Sequence, residues 1–236
     1  MDIVKSWIVF WEKFGPGGAW QRVLGEGLVN TLIIAFVGLL MGIVIGTIIA
    51  AVKVMPKYKR LPRILDKICS VYVGFFRGTP IVVQLLLAYY VLLPLIGIRV
   101  GSLQTCILVF GLNSGAYVSE IMRGGILSVD SGQMEAGRAV GLSYAATMMK
   151  IVVPQAIKHI LPTLGNELIA LVKDTSVVSF VAAVDLYKTF NEIGNRTYEY
   201  VMPYLFMAVI YIVLVALITL GIKIMERSLR KSDRSN

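Results

Sequence analysis

Between two strongly apolar stretches, residues 135–154 read EAGRAVGLSYAATMMKIVVP. This segment contains charged and polar residues, two glycines and a final proline, so it separates the apolar stretches on its two sides. Glycine favours helix ends and turns, and proline ends or kinks a helix. We therefore expect residues 135–154 to lie outside a membrane that the flanking stretches cross, where another protein can contact and move them.

The composition of the whole chain is that of an integral membrane protein. Of its 236 residues, 57% are hydrophobic and 16% are charged, whereas soluble domains carry about 25% charged residues. The mean hydropathy is +0.76. Because one helical crossing takes about 20 apolar residues, we predict an all-α membrane domain of about five transmembrane helices, with apolar runs at residues 28–52, 68–96, 102–122, 155–186 and 203–224.

The ends of the chain have a different character from its middle. Residues 1–24 are expected to be an extracytoplasmic interfacial segment and not a removable signal peptide, because tryptophan favours the headgroup zone. Residues 25–226 form the transmembrane domain, and residues 227–236 a basic cytoplasmic tail. The tryptophans expected at the interface are Trp7, Trp11 and Trp20. Three isolated residues are expected to have structural roles only: Cys69, Cys106 and His159.

The basic residues predict the orientation. Fifteen of the 23 lysines and arginines fall within residues 53–67, 123–158 and 223–234, which five crossings put on one side of the membrane. Lysine and arginine accumulate in cytoplasmic loops. We therefore predict an amino terminus outside and a carboxyl terminus in the cytoplasm. We therefore attribute the net charge of +9 to the orientation of the chain in the membrane and to contact with anionic lipid headgroups, and not to nucleic-acid binding.

Residues 130–154 carry local signals for two short helices. Asp130 and Gln133 have the spacing of a capping box, which predicts a helix over residues 131–140. Gly141 suits the end of that helix, because glycine enters left-handed backbone space at low cost. Ser143 can cap a second helix that runs toward Lys150, and Pro154 then marks the boundary before the next crossing.

Three motifs carry a resemblance to a known family. Glu135-Ala136-Gly137, Gly141, Ile151 and Val153-Pro154 have the spacing of the EAA loop in permease subunits of binding-protein-dependent ABC importers, which usually carry Ala and Leu where Gly137 and Val153 stand. Residues 77–85 (RGTPIVVQL) and 173–178 (KDTSVV) resemble two segments of the polar amino acid branch of that family. The matches follow the family's order.

The resemblance implies the type I ABC importer fold in the inner membrane of a prokaryote, and a transport subunit that is not an enzyme. The chain would pair with a second copy of itself or a paralogous permease, and a solute-binding protein outside would deliver a polar amino acid. Two cytoplasmic ATPase subunits would dock on the coupling loop, residues 128–154, through Glu135, Ala136, Gly137, Gly141, Leu142 and Pro154.

The energy source is expected in those partners. The chain has no Gly-x-x-x-x-Gly-Lys-Ser/Thr loop that could cradle phosphates, so we expect Mg-ATP in the partner subunits and neither cofactor nor metal here. Within the coupling loop, Glu135 is expected either to cap the first short helix or to reach a basic group of the ATPase.

Polar side chains inside the apolar runs are the candidates for substrate binding, because an ionisable group in a membrane faces a cavity or a partner. Several of these polar residues recur at helical spacing, which places them on one helix face. The two segments where an apolar run is interrupted, within residues 77–85 and 173–178, also expose backbone groups that can bind a substrate. The alternative is that these groups lock the bundle through internal salt bridges and hydrogen bonds. The candidates are Arg77, Gln84, Asn113, Tyr117, Glu120, Glu167, Lys173, Asp174, Thr175 and Ser176.

The charges among these candidates indicate a substrate class. Arg77 or Lys173 could bind an α-carboxylate, and Asp174 or Glu167 an ammonium or guanidinium group. The excess of carboxylates favours a cationic amino acid: arginine, lysine or histidine. The alternative function is an ion-gradient-coupled amino acid carrier that uses the same carboxylates as ion sites.

Small residues predict where helices approach closely. Gly38, Gly42 and Gly46 repeat every four residues in the first run, and Gly111 and Gly115 do so in the third. Such stripes let a second helix come near. That helix can belong to this chain or to a second copy.

Overall fold

The computed structural model describes residues 3–15 and 19–234, with backbone only for Ile3, Lys13 and residues 230–234. The described residues are helical, as the sequence predicts, and the helices are joined by short connections. They are α1 (Ile3–Phe14), α2 (Trp20–Val54), α3 (Arg60–Gly78), α4 (Ile81–Leu95), α5 (Ser102–Leu127), α6 (Ser131–Ala139), α7 (Tyr144–Thr147), α8 (Val153–Asp174), α9 (Leu186–Thr197) and α10 (Val201–Arg234). A 3-10 helix, Thr175–Val181, lies between α8 and α9.

Among the described residues, three helices are long and apolar enough to cross a membrane: α2, α5 and α10. Taken together, α3 and α4 are also long and apolar enough for one span, which bends by 105° at residues 79–80. Helix α8 carries too many polar residues to be recognised by composition. It nevertheless extends over 22 residues, about 33 Å of helix, and packs antiparallel to α5, with Ile160 against Gly125. Length and composition thus identify up to four spans among the described residues, and α8 lies where the sequence predicts the remaining crossing.

Helices α2 and α5 form the central pair of the bundle. A Cβ atom on Gly38 would meet Phe110, and one on Gly46 would meet Val118, so the contacts advance in the same direction along both helices. The two helices are thus parallel and closely packed. The glycine stripe serves packing within this chain, so the alternative that it forms the contact with a second copy is wrong.

Several predicted boundaries differ from the structure. Helix α2 begins at Trp20 and passes through a π-helical turn, Val23–Leu28, so the predicted domain boundary at residue 24 falls inside a helix. Pro154 is not a boundary either. Helix α7 continues through a π-helical turn, Met148–Val152, into α8, where proline is tolerated in the first turn.

At the end of the bundle where α2 begins, α1 and α9 pack against the start of α10. Their shared cluster is apolar and aromatic, with Phe10, Phe190 and Met202 buried. Trp7 and Trp11 are about half exposed on the outside of this cluster, the arrangement of an interfacial segment. Residues 1, 2 and 16–18 of the predicted interfacial segment, and residues 235 and 236 of the predicted tail, lie outside the described part of the chain.

The isolated cysteines pack as predicted. Cys106 is fully buried in the main core, and Cys69 packs at the contact between α2, α3 and α5. Both are free thiols.

Candidate functional site

A cavity of about 230 Å³ lies where the α3–α4 break meets α5 and the end of α8. We call it the central cavity. It is smaller than the roughly 300–1,000 Å³ pockets that hold drug-sized ligands, so its size suits a single small solute. Four of the ten predicted substrate residues line it. The full lining is Thr79, Pro80, Ile81, Asn113, Tyr117, Glu167, Ala170, Leu171 and Asp174.

The titratable side chains of the central cavity are acidic. Among the described residues that line it, Glu167 and Asp174 are acidic and none is basic. The two carboxylates lie seven residues apart on one face of α8, as the helical spacing predicts. An ionised carboxylate inside a membrane protein needs a cation or hydrogen-bond donors nearby. The cavity can therefore provide counter-charge for an ammonium or guanidinium group.

The α3–α4 break is closed by two amide side chains. Gln84 on α4 donates from Nε2 to the carbonyl oxygens of Phe76 (2.9 Å) and Thr79 (3.0 Å), which lie at the end of α3. Asn113 on α5 donates to Gln84 Oε1 (3.0 Å) and to the Phe76 carbonyl oxygen (3.3 Å). These bonds satisfy helix-end carbonyl groups that the bend leaves without partners. Gln84 thus lies behind the cavity lining, while Asn113 reaches both the break and the cavity.

Arg77 lies at the edge of the cavity and does not line it. Its guanidinium carbon is 5.4 Å from the centroid of the Tyr117 ring, a cation–π distance. Arg77 itself is exposed. Arg77 and Gln84 stand seven residues apart but do not share a helix face, because the break at Pro80 separates their helices.

Glu120 is paired within the protein. Its Oε1 accepts from Lys53 Nζ (3.0 Å), and its Oε2 accepts from Arg123 Nη2 (2.7 Å) and Nε (3.0 Å). These contacts join the end of α2 to α5, one helical turn from Tyr117. They match the bundle-locking alternative for this residue.

The Lys-Asp-Thr-Ser segment distributes its side chains over different surroundings. Asp174 faces the central cavity, whereas Lys173 and Ser176 line a separate, almost wholly apolar groove beside Tyr211 on α10. Thr175 is fully buried, and its hydroxyl donates to the Val172 carbonyl oxygen (2.8 Å). The segment is therefore not brought together as one binding surface.

Sequence reasoning missed five cavity residues. The sequence places Thr79 and Pro80 in an interrupted segment and Ile81 in the motif at residues 77–85. It does not predict that these residues line a cavity, although the proline indicates where the helix opens. Ala170 and Leu171 gave no signal, because apolar residues in an apolar run do not distinguish a cavity wall from the core. Their position follows only from the packing of α8 on α5.

The coupling loop has the two capped helices that the sequence predicts. Asp130 Oδ1 accepts from the Gly132 amide (2.6 Å) at the start of α6, and Ser143 Oγ accepts from the Ala146 amide (3.2 Å) at the start of α7. Asp130 supplies the cap, so the prediction that Glu135 could cap this helix is wrong. Glu135 lies in the middle of α6 and is exposed.

Gly141 ends α6 in a Schellman motif. Its φ is +87°, and its amide donates to the Arg138 carbonyl oxygen (3.1 Å) while the Leu142 amide donates to that of Gly137 (3.1 Å). Only glycine reaches this backbone region at low cost. Gly141 therefore sets the bend between α6 and α7.

Gly137 is the buried residue on α6. A Cβ atom there would meet Cγ2 and Oγ1 of Thr147 on α7 and lie 3.2 Å from Ile151 Cδ1. Gly137 thus permits close packing inside the coupling loop. The remaining predicted docking residues Ala136, Gly141 and Pro154 are exposed, and Leu142 is half-buried.

Comparisons with known proteins agree with these features. The sequence profile of the family described as "Binding-protein-dependent transport system inner membrane component" matches residues 42–231. The arginine transport system permease protein ArtQ of Bacillus subtilis is 36% identical over 88% of this chain and 93% of its own length. The L-cystine transport system permease protein TcyB of the same organism is 33% identical over 94% of this chain and 91% of its own length.

A solved structure described as an amino acid ABC transporter with histidines is also similar. It is 35% identical, covers 89% of this chain and 95% of its own, and superposes with a TM-score of 0.81. The MetNI methionine ABC transporter, 22% identical with a TM-score of 0.71 and coverage of 86% and 94%, shares the fold.

Proposed function

Because this chain belongs to the family of inner membrane components of binding-protein-dependent transport systems, we propose that it forms the path for a cationic amino acid in an ATP-driven importer. The chain itself is a permease subunit of an amino acid ABC transporter and not an enzyme, and the ATPase is a separate subunit. These relationships favour the importer over the ion-gradient-coupled carrier. The substrate we propose is arginine, lysine or histidine.

The observation that carries the substrate class is the acidic wall of the central cavity. Glu167 and Asp174 face a volume of about 230 Å³ that also exposes polar groups of Asn113 and Tyr117. A desolvated cation gains most from carboxylates in a low-dielectric surrounding. A zwitterion also needs a partner for its α-carboxylate, and we propose Arg77, which lies over the Tyr117 ring at the cavity edge.

We propose that the remaining candidates support this site indirectly. Gln84 and Asn113 hold the α3–α4 break open beside the cavity. Glu120 fixes α5 to the end of α2, and Thr175 stabilises the turn after α8. Lys173 and Ser176 line the apolar groove next to α10, where they could reach the substrate only after a rearrangement.

The coupling loop is the proposed docking surface for two ATPase subunits that carry Mg-ATP. Its exposed face presents Glu135, Ala136 and Val140, the last with 78% of its surface accessible. Closure of the ATPase subunits would move this rigid pair of helices, and with it α8, in an alternating-access cycle. A second copy of the chain or a paralogous permease would complete the path. We propose that the coupling loop is cytoplasmic and that the amino terminus faces the solute-binding protein.

A transport panel tests the substrate class. The permease is purified with its ATPase, reconstituted in liposomes with the binding protein, and supplied with labelled arginine, lysine, histidine, glutamine and cystine. We expect uptake of the cationic amino acids to exceed that of glutamine and cystine. Asp174→Asn and Glu167→Gln should each lower the apparent affinity for arginine about ten- to a hundredfold, the effect of removing a hydrogen bond to a charged group.

Asp66→Asn is the matched control. Asp66 pairs with Lys57 on the surface (2.7 Å), so its loss should leave uptake unchanged, because exposed ion pairs contribute little. Preferred uptake of glutamine or cystine would reject the cationic class. An unchanged arginine affinity in both cavity variants would reject the site assignment.

A further inference from the structure

The chain connects α5 and α8 to the coupling loop directly, but it does not connect α2. Helix α5 ends three residues before α6 begins, and α7 runs on into α8. Helix α2 ends at Val54, 77 positions earlier in the sequence than the start of α6 at Ser131. A movement of the coupling loop therefore reaches α5 and α8 through the backbone. It reaches α2 only through tertiary contacts, which are the packing of α2 along α5 and any bond that joins the end of α2 to the loop.

Tyr144 supplies that bond. Its hydroxyl, in the first turn of α7, donates to the carbonyl oxygen of Val54, the last residue of α2 (2.9 Å). Carbonyl groups in the last turn of a helix have no intrahelical donor, so Val54 is an open acceptor. Tyr144 is half-buried, and this burial raises the pKa of its hydroxyl. The hydroxyl therefore stays protonated at neutral pH and can donate the hydrogen bond to Val54.

The end of α2 is also fixed to α5. Lys53, the neighbour of Val54, bonds to Glu120 (3.0 Å), and Glu120 is held by Arg123 (2.7 Å). These side chains are mostly buried, with 14% of Lys53 and 20% of Glu120 exposed, so the pair is screened less than a surface pair. Glu120 lies three residues from Tyr117, which lines the central cavity. Contacts thus run continuously from α7 through the end of α2 to the helix that bears the cavity.

We propose that Tyr144 is a positioning residue that fixes the end of α2 to the coupling loop, so that the α2–α5 pair and the loop move as one body. This inference rests on the proposed ATP-driven import, which it deepens. The coupling loop is joined to α5 and α8 through the backbone, and to the end of α2 through this hydrogen bond, in addition to the packing of α2 along α5. Loss of that bond should leave ATP hydrolysis intact but reduce how much of the coupling-loop movement is transmitted to the helices around the central cavity.

The test measures uptake and ATP hydrolysis in the same proteoliposomes, with the binding protein and the labelled amino acid that the unchanged complex takes up fastest in the panel above. Tyr144→Phe removes only the hydroxyl. It should change ATP hydrolysis by less than about twofold and lower the amino acid taken up per ATP by about two- to tenfold, the contribution of one neutral hydrogen bond. Tyr58→Phe is the control, because Tyr58 is 88% exposed on the same side and should leave both rates unchanged.

Glu120→Gln supplies the second arm. If Tyr144 acts through the end of α2, the double variant should lose less uptake per ATP than the product of the two single losses. A parallel fall of uptake and ATP hydrolysis, an unchanged uptake per ATP, or a loss of co-purification with the ATPase in Tyr144→Phe would overturn the proposal. Failure of the unchanged complex to take up any amino acid would instead overturn the proposed function.

Discussion

At the scale of single residues, Gly137 explains why this chain departs from the alanine that its family usually carries there. The space that an alanine methyl would fill is occupied by Thr147, the last residue of α7, which is fully buried. Thr147 also donates through its hydroxyl to the Ser143 carbonyl oxygen (3.0 Å). The glycine on α6 and the β-branched residue on α7 are thus two halves of one packing contact.

This contact makes a testable prediction. Gly137→Ala should lower the stability of the permease by about 1–3 kcal/mol through overpacking, seen as a lower melting temperature in detergent and weaker co-purification with the ATPase. Thr147→Ser removes the Cγ2 atom that the new methyl would meet and keeps the hydroxyl. The double variant should therefore recover most of the loss, whereas equal defects in the double and single variants would contradict the packing explanation.

At the scale of elements, the most consequential feature is the break between α3 and α4. A bend of 105° inside the bundle leaves carbonyl groups at the end of α3 without helical donors, and such groups are tolerated in a membrane only where protein or a wet cavity satisfies them. Gln84 provides the donors from within the same span. The bend therefore opens the central cavity and is stabilised from behind by an amide that the cavity does not expose.

Replacing this amide should destabilise the break. Gln84→Leu leaves the Thr79 carbonyl group without its Gln84 donor and the Phe76 carbonyl group with only the longer bond from Asn113 (3.3 Å). The change should cost about 1–3 kcal/mol, which lowers the melting temperature by about 2–4 °C per kcal/mol in a chain of this size. Gln21→Leu, on the exposed face of α2, is the control and should melt within about 1 °C of the parent. A Gln84→Leu variant as stable as the parent would show that the bend does not depend on these bonds.

Local sequence signals predicted where helices begin and end better than they predicted which helices contact each other. Caps at Asp130 and Ser143 and the turn at Gly141 depend on residues a few positions apart, so the sequence was sufficient. Pro80 predicted a break but not its angle. The pairing of Lys53 with Glu120 joins residues 67 positions apart, and no periodicity along one helix reveals such a partner. The same limit applies to the glycine stripe, whose packing partner could not be told from the sequence.

At the scale of the whole molecule, the packing of the helices puts the coupling loop and the end of α2 on one side of the bundle, and α1 and α9 on the other. The parallel packing of α2 and α5 requires the bent α3–α4 span to return the chain across the membrane between them. The polar helix α8 returns it once more, shielded by α5 and α10. Relative sidedness thus follows from packing, while absolute orientation rests on the distribution of basic residues.

Two tyrosines allow the absolute orientation to be measured with matched probes. Tyr58, between α2 and α3, and Tyr198, after α9, are both 88% exposed and lie on opposite sides. In whole cells, a membrane-impermeant maleimide should label Tyr198→Cys from outside and should label Tyr58→Cys only after the membrane is permeabilised. The native Cys106 is fully buried and Cys69 is half-buried, so the unsubstituted chain gives the background, and a Cys69→Ser parent lowers it further. Labelling of Tyr58→Cys in intact cells would show that the orientation is the opposite of the predicted one, with the coupling loop outside and out of reach of a cytoplasmic ATPase.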